Sequence, residues 1–406
     1  FDGVSEPLAR IAGRAYLLEA ARVFTCGALA SGHRPAVISA MMKYNATELA
    51  RRSALDGMDV VGGAAICLGP RNLMARAYRS TPIGITVEGA NILTRTLIVF
   101  GQGAIRCHPH AHALLESIRS GDRKAFRRAF LGQQGHILAN LIRGVVRGLS
   151  RGLLIRSPLP GPVARHVRRL AWASTRFANA ADLAMVAVGG RLKTRGRLTG
   201  RFADILSWLF LITATLRRYE AEGRREDDLP VVHWICEEGF WQIQQAFDGI
   251  YQNLDAPLAS WWTRTVGSWW HRAFSIGRPP SDALSRSVAE TIQQAGEQRD
   301  RMTPHLHIAD GSPWADLEAA FHSATEAEPA LAKIQAAIKR RELPKAPPET
   351  LLDPAVEAGL ITSDERALIE RAVAARADAI RVDDFTLDEL RGVAGAFDPV
   401  ADAAGG

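Results

Sequence analysis

The chain has 406 residues, 47% of them apolar and 23% charged, with a net charge of +7. That balance belongs to a globular protein with room for two or more cores, and it excludes a disordered or collagen-like chain. Residues 311–406 hold 18 acidic and 10 basic side chains, which leaves a surplus of fifteen positive charges on residues 1–310.

Such a surplus favours an anionic partner for the larger part: a phosphorylated cofactor, an anionic lipid or nucleic acid. Nucleic acid is set aside, because the basic stretch "RLKTRGRLTGR" (191–201) has no aromatic residues for base stacking and reads as a solvated turn. The cysteines Cys26, Cys67, Cys107 and Cys236 form no CxxC pair and read as reduced, mostly buried thiols of a cytosolic protein. The opening "FDGVSEPLARIAG" is interrupted by Arg10 and Arg14 and is no secretory signal. Because it starts at Phe1, the chain reads as a piece of a longer protein.

Taken in order, nearly every segment has helical spacing. Leu8, Ile11, Ala15 and Leu18 fall on one helical face. "SGHRP" (31–35) ends that helix, and Pro35 suits the first turn of the next. The second helix covers roughly 36–57, with Ile38, Met42 and Leu49 inward and a stop near Gly57. "VVGGAAICLGP" then reads as a Gly-rich turn, 71–79 as a short helix, "STPIGITV" as extended chain, and a further helix opens at Glu88. A second helical region begins near 109 and carries most of the arginines, with breaks at "RSPLPGP" (156–162) and 189–201. Within it, "ILSWLFLITATL" (205–216) is too short to span a bilayer and reads as a buried core helix. Residues 229–254 form another long helix. "RELPKAPPETLLDP" (341–354) reads as a Pro-rich linker. A helical hairpin ending in "VDDFTLDEL" follows, and then a small-residue tail expected to be disordered. No strand alternation is present, so the predicted fold class is all-α. The expected domains are 1–108, 109–340, a linker and hairpin over 341–395, and a tail over 396–406.

Glu88, at the start of "EGANILTR", has a plain reading as a carboxylate complementing a helix dipole. Its context changes that reading. "MMKYNATELARRSALDGMDVVGG", "RAYRSTPIGITVEGANILTR" and "FGQGAIRCHP", in this order, resemble the C-terminal helical domain of flavin-dependent acyl-CoA dehydrogenases. The similarity is closest to the large bacterial long-chain enzymes of fatty-acid β-oxidation, which carry an extra C-terminal helical domain. It runs nearly end to end, through "LRRYEAEGR" (216–224), "DLPVVHW" (228–234) and "VDDF" (382–385).

The resemblance implies FAD as cofactor, a fatty acyl-CoA as substrate, electron-transfer flavoprotein as electron acceptor, and a homodimer sharing flavin across its interface. Glu88 matches the base that removes the α-proton, and Gly89 the small residue after it, with Ala90 beside the ligand. Gly62 and Gly63, preceded by Asp59, match the turn that approaches the flavin's adenosine-diphosphate arm. Arg95 matches an arginine of the last helix, expected beside substrate, and Arg79 one in the loop before the base. Asp59, Val87, Ala90 and Ile92 depart from the residues the family often carries. Physical chemistry supports the base independently. Proton abstraction beside a thioester needs a carboxylate in a dry pocket, and the flanking "ITV" and "ANIL" are expected to supply apolar surroundings.

The family's N-terminal helical domain and middle β-barrel have no counterpart in this sequence, so the chain alone is expected neither to hold flavin nor to turn over. The alternative function is a non-enzymatic helical docking or membrane-association module. "PLASWWTRTVGSWWHRAF" (257–274) places Leu258, Trp262, Val266, Trp269, Trp270 and Ala273 on one face, with Arg264 and His271 opposite. It reads as an amphipathic helix packing on its own domain, or else as a peripheral membrane contact. The expected location is the bacterial cytoplasm, with peripheral contact at the inner membrane as the added expectation. "CHPHAH" (107–112) clusters Cys107, His108, His110 and His112, but Pro109 opposes convergence and no metal is expected.

Overall fold

The computed structural model describes residues 2–35, 37–68, 73–103, 108–254, 260–381, 386–388 and 392. Every regular element among them is helical. In chain order these are α1 (Asp2–Ala30), α2 (Ile38–Val61), α3 (Leu73–Gly84) and α4 (Asn91–Leu93), the last prolonged by a π-helical stretch, Thr94–Gln102. Then come α5 (Ala111–Ser120), α6 (Arg123–Leu149), α7 (Ala164–Val188), α8 (Gly196–Ala221) and α9 (Leu229–Asn253). A helical run follows as α10 (Ser260–Trp262), a π turn (Thr263–Gly267) and α11 (Ser268–Ala273), and then α12 (Asp282–Gln293) and α13 (Glu297–Met302). Two compact units divide the chain, one of residues 1–57 with 80–304 and one of residues 58–79 with 305–406.

The first unit is organised around α8 and α9. Phe202, Ile205 and Ile212 on α8 meet Phe240, Ile243, Phe247 and Ile250 on α9, all with no exposed surface. Each such side chain contributes about 1.5–3 kcal/mol through burial. Gly239 permits the close approach, since a Cβ there would lie 2.8 Å from Ile212. The inward face of α1 is one residue off the expected one: Ala9, Ala12, Tyr16 and Ala20 are buried, and Leu8, Ile11, Ala15 and Leu18 are half-buried. The cause is steric. Gly13 seats against the Trp234 ring, where any Cβ would collide, so the small-residue stripe faces inward. On α2 Leu49 is buried as expected, Met41 is buried in place of Met42, Ile38 is half-buried, and the helix runs to Val61 rather than stopping near Gly57.

The motifs of the second half turn out to be fastenings. In "LRRYEAEGR", Arg218 donates to the Tyr16 carbonyl (3.2 Å), the Arg301 carbonyl (2.5 Å) and Glu222 (2.8 Å), and its guanidinium lies 4.0 Å from the Tyr16 ring centroid. In "DLPVVHW", Asp228 pairs with Arg301 (3.2 Å), Pro230 opens α9, and His233 meets His166 at 2.8 Å. Burial depresses His166 to about 2 and keeps it neutral.

Other expectations are corrected. "STPIG" continues α3 through Pro82 to Gly84, because Gly84 lets the backbone close on Thr47 of α2, where a Cβ would lie 3.2 Å from the Thr47 side chain. Packing there overrides the β-branched propensity. Cys26 is exposed, whereas Cys236 is buried and its thiol is pushed up by burial. Cys107, Leu258, the Trp262 side chain, "VDDF" and the 396–406 tail lie outside the described residues. The buried core of the first unit runs from Ala9 to Met302, across the boundary expected at 108.

The second unit contains α14 (Pro313–Lys339), α15 (Leu352–Glu357) and α16 (Ser363–Ala379). Ala327, Ile334, Ala355 and Ile369 form its core together with Leu343 and Leu351. The Pro-rich stretch is therefore folded onto a core instead of spanning between domains. Thr362 and Glu365 close a reciprocal capping box at the start of α16.

Candidate active site

Glu88 sits in a turn over residues 85–88, after α3 and before α4, so the helix expected to open at Glu88 opens three residues later, at Asn91. Its φ of 60° and that of Gly89 at 100° place two successive residues in the left-handed region. A non-glycine residue is uncommon there and is held by its surroundings. Gly89 is needed for its φ, and a Cβ would also crowd Thr94 Oγ1 at 3.3 Å.

The turn is held from α2. Lys43 Nζ donates to the Gly89 carbonyl (2.5 Å) and to Asn91 Oδ1 (2.6 Å). Asn91, itself buried, donates from Nδ2 to Thr47 Oγ1 (2.9 Å) and Glu48 Oε1 (3.0 Å). The Glu48 carboxyl is burdened by burial, yet its hydrogen bonds from Asn91 and Arg51 leave it below the ordinary range. Lys43 belongs to the "MMKYN" text that carried the resemblance, but its task of clamping the Glu88–Gly89 turn depends on a contact 46 residues away along the chain. No spacing rule reaches that far. Asn91 could have been noticed as a polar residue inside an apolar helix start.

The apolar enclosure expected around Glu88 is not formed within this chain. The Glu88 carboxylate is exposed, and so are Ile83, Val87, Ile92 and Leu93 on either side of it. What the structure supplies is an acidic tip on a strained turn, flanked along the chain by uncovered aliphatic side chains. Ala90 is exposed next to it, with an extended ψ of 134° that starts α4.

Arg95 does not point toward this turn as a free cation. It is paired in two places with Asp204 of α8, Nε to Oδ1 at 2.6 Å and a terminal nitrogen to Oδ2 at 2.5 Å. The hydrogen bond to Asp204 keeps its guanidinium protonated. Gly200 of α8 lies under it, since a Cβ there would lie 2.5 Å from the Arg95 side chain.

In the second unit, Asp59 is exposed on the last turn of α2, and Gly62 ends the helix with a φ of 70°. Gly63 has no positive φ, and a Cβ there would meet nothing within 4 Å. Neither backbone strain nor crowding inside the chain calls for glycine at 63. Arg79 is exposed in the unit's α3 portion.

The histidine motif gathers differently from its sequence order. His108, His136 of α6 and Asp182 of α7 each place a ligand-type atom within 4.8 Å of the others, while His112 is exposed. The backbone N–H groups of His110 and Ala111 donate to His108 Nδ1 at 3.1 and 3.0 Å. His108 Nε2 therefore carries the hydrogen and donates it to Asp182 Oδ1 at 2.9 Å. Both nitrogens of His108 are spent on protein partners, an arrangement that caps α5 and ties it to α7.

The region 257–274 follows its wheel only in part, with Trp270 half-buried and Arg264 exposed. His271 is buried between Arg176 (2.6 Å) and Gln244 (2.7 Å), where burial depresses it to about 3. Val266 and Trp269 are exposed, as is Trp261.

Comparison with known proteins agrees with this architecture. Residues 1–101 match the family model described as acyl-CoA dehydrogenase, C-terminal domain. Residues 105–385 match the model described as acyl-CoA dehydrogenase, C-terminal, bacterial type. The fold is similar to the crystal structure of an acyl-CoA dehydrogenase complexed with FAD from Bacillus anthracis, with a TM-score of 0.54 and 17% identity over 72% of this chain. The match spans 49% of that structure's chain, about half its length. The two matched models meet between 101 and 105, although packing unites both sides of that junction in one core. The chain belongs to the acyl-CoA dehydrogenase family and carries its C-terminal helical domain joined to the bacterial-type C-terminal region.

Proposed function

We propose that this chain is the base-bearing part of an FAD-dependent dehydrogenase that converts a medium- or long-chain fatty acyl-CoA to the trans-2-enoyl-CoA in fatty-acid β-oxidation. The supporting observation is the Glu88–Gly89 turn, in which two left-handed residues are clamped by Lys43 within exposed aliphatic side chains. Glu88 takes the α-proton of the thioester, and the electrons of that C–H bond form the new double bond as a hydride leaves the β-carbon. FAD, when bound, supplies the hydride acceptor.

The residues fit that chemistry. The exposed aliphatic side chains Ile83, Val87, Ile92 and Leu93 that flank Glu88 in the chain are covered by the acyl chain and by the other half of the dehydrogenase unit, which dries the carboxylate and makes it a stronger base. Gly89 and Ala90 offer bare backbone beside the thioester. Gly63, whose glycine nothing in the chain requires, leaves its backbone open to the diphosphate of the cofactor, with Gly62 and Asp59 beside it. Arg95 acts on substrate by holding α4 in place through Asp204. Electrons then pass to electron-transfer flavoprotein from a homodimeric enzyme in the bacterial cytoplasm.

In the full-length enzyme, Glu88→Gln lowers enoyl-CoA formation by about a thousandfold or more while the flavin spectrum is retained; undiminished turnover refutes the assignment. The 406-residue chain mixed with FAD and desalted is expected to lose its yellow colour, because the isoalloxazine site needs the other half. The second reading, a docking module without catalysis, draws on the uncovered apolar face of α6, and it predicts that Glu88→Gln changes no activity at all.

A further inference from the structure

Among the described residues, Glu88, Arg151, Arg224 and Arg341 are the non-glycine residues with a positive φ. The three arginines sit just past a helix and are held by it. The N–H of Arg151 donates to the Gly148 carbonyl (3.0 Å), that of Arg224 to Tyr219 (2.9 Å) and that of Arg341 to Ile338 (3.1 Å), which is how a helix end keeps a left-handed residue. Glu88 is held differently. Its loop is tied shut by the Asn91 N–H on the Ile85 carbonyl (3.0 Å), and both ends of the loop rest on one face of α2. Gly84 comes close to the Thr47 side chain, while Gly89 and Asn91 take the two short bonds from Lys43. Left-handed geometry at a non-glycine residue persists only where its surroundings over-determine it. Here α2 supplies those surroundings.

Lys43 spends its charge in an uncommon way. It is half-buried, and among the described residues it has no carboxylate partner, since both of its bonds go to neutral oxygens. A hydrogen bond from an ammonium is about twice as strong as one between neutral groups, so the cation grips where a neutral donor would only touch. Asn91 keeps the grip aligned. Its amide donates to Thr47 and Glu48, and Glu48 is held in turn by Arg51 at 2.7 Å. A line of contacts therefore runs from Arg51 through Glu48, Asn91 and Lys43 to the carbonyl of Gly89, the residue next to the acidic tip. Without the ammonium, that carbonyl keeps only the long contact from Thr94 Oγ1 at 3.4 Å, and the backbone of residues 88 and 89 is free to leave the left-handed region.

We infer that Lys43 is a positioning residue for proton abstraction: it fixes the Gly89 carbonyl, and through it the backbone that keeps Glu88 within reach of the α-carbon, without touching substrate itself. The inference rests on Glu88 being the base. In the full-length enzyme, Lys43→Ala is expected to slow single-turnover reduction of the flavin by about a hundredfold, the scale of a misplacement of about 1 Å. FAD stays bound and KM hardly moves, because the loss falls on the transition state alone. The isotope effect of α-deuterated acyl-CoA on turnover rises, since proton removal becomes the slow step. Amide hydrogen exchange over residues 85–94 quickens, a readout that needs no turnover. Propylammonium, which replaces the deleted atoms, restores the rate in Lys43→Ala, and propanol does not. Lys43→Met keeps the aliphatic stem without the donors and is expected to show the same loss with no rescue. Full-rate reduction by either variant while Glu88→Gln is inactive overturns the inference and leaves the base in place, as does unchanged exchange over 85–94. Loss of FAD from both variants also overturns it, since that makes Lys43 a folding residue. Undiminished turnover by Glu88→Gln removes the base and the inference together.

Discussion

α9 and α6 are both long helices with apolar side chains at helical spacing, and they face opposite ways. α9 turns Phe240, Ile243, Phe247 and Ile250 into complete burial against α8. α6 turns its aliphatic stripe to the outside and packs through glycine, asparagine and arginine. The period fixes that a segment is helical and that it has an apolar side. It does not say whether that side finds a protein surface of its own chain. α9 does, because α8 offers a matching continuous apolar run with Gly239 at the crossing; α7, beside α6, offers Thr175 and Asn179 instead.

Truncations break this contrast most strongly. Phe247→Ala leaves a cavity in the α8–α9 interface and is expected to cost about 3–5 kcal/mol, read as a lower midpoint in urea. Acidification comes next, through the two histidines packed against α9. His166 and His271 are depressed to about 2 and about 3 from 6.5. Their contribution is therefore intact above pH 6.5 and is lost as the pH falls below it, because the unfolded chain then takes up protons that the folded one refuses. Each histidine gives a slope of about 1.4 kcal/mol per pH unit, and Tm measured from about pH 7 to about pH 5 should flatten in His166→Gln and His271→Gln. Gly239→Ala pushes a methyl group into Ile212 and should cost about 1–3 kcal/mol. The smallest effect falls on α6: Leu141→Ala and Val145→Ala should leave stability within about 0.5 kcal/mol. A loss comparable to that of Phe247→Ala would show that the stripe is covered after all.

Much of the fold was legible beforehand. The all-α class, the core helix over 205–216 and the helix from 229 followed from period and length, because the first segment is a charge-free, largely apolar run and the second repeats apolar residues at helical spacing. The face of α1 was read one residue off, since Leu8 looks more core-like than Ala9 until Gly13 is seen against Trp234; on α2 Leu49 is buried as expected, and between two adjacent methionines the period alone did not pick Met41. "STPIG" looked extended because local propensity is weak beside a helix surface only a van der Waals contact away. At the candidate site, the family's ordered motifs singled out Glu88 and its glycine, while the left-handed strain of their turn and its exposure went unforeseen.

By itself the sequence determined the helical architecture and the family, because these depend on local spacing and on motifs that stand close together along the chain. Only the tertiary structure decided that Lys43 clamps the turn, that Arg95 is committed to Asp204, that "LRRYEAEGR" is a clasp and that α6 shows its apolar side to the outside. Each of these is a contact between residues far apart in sequence, fixed by which surfaces can approach closely enough to exclude water, and nothing in a helical period records that.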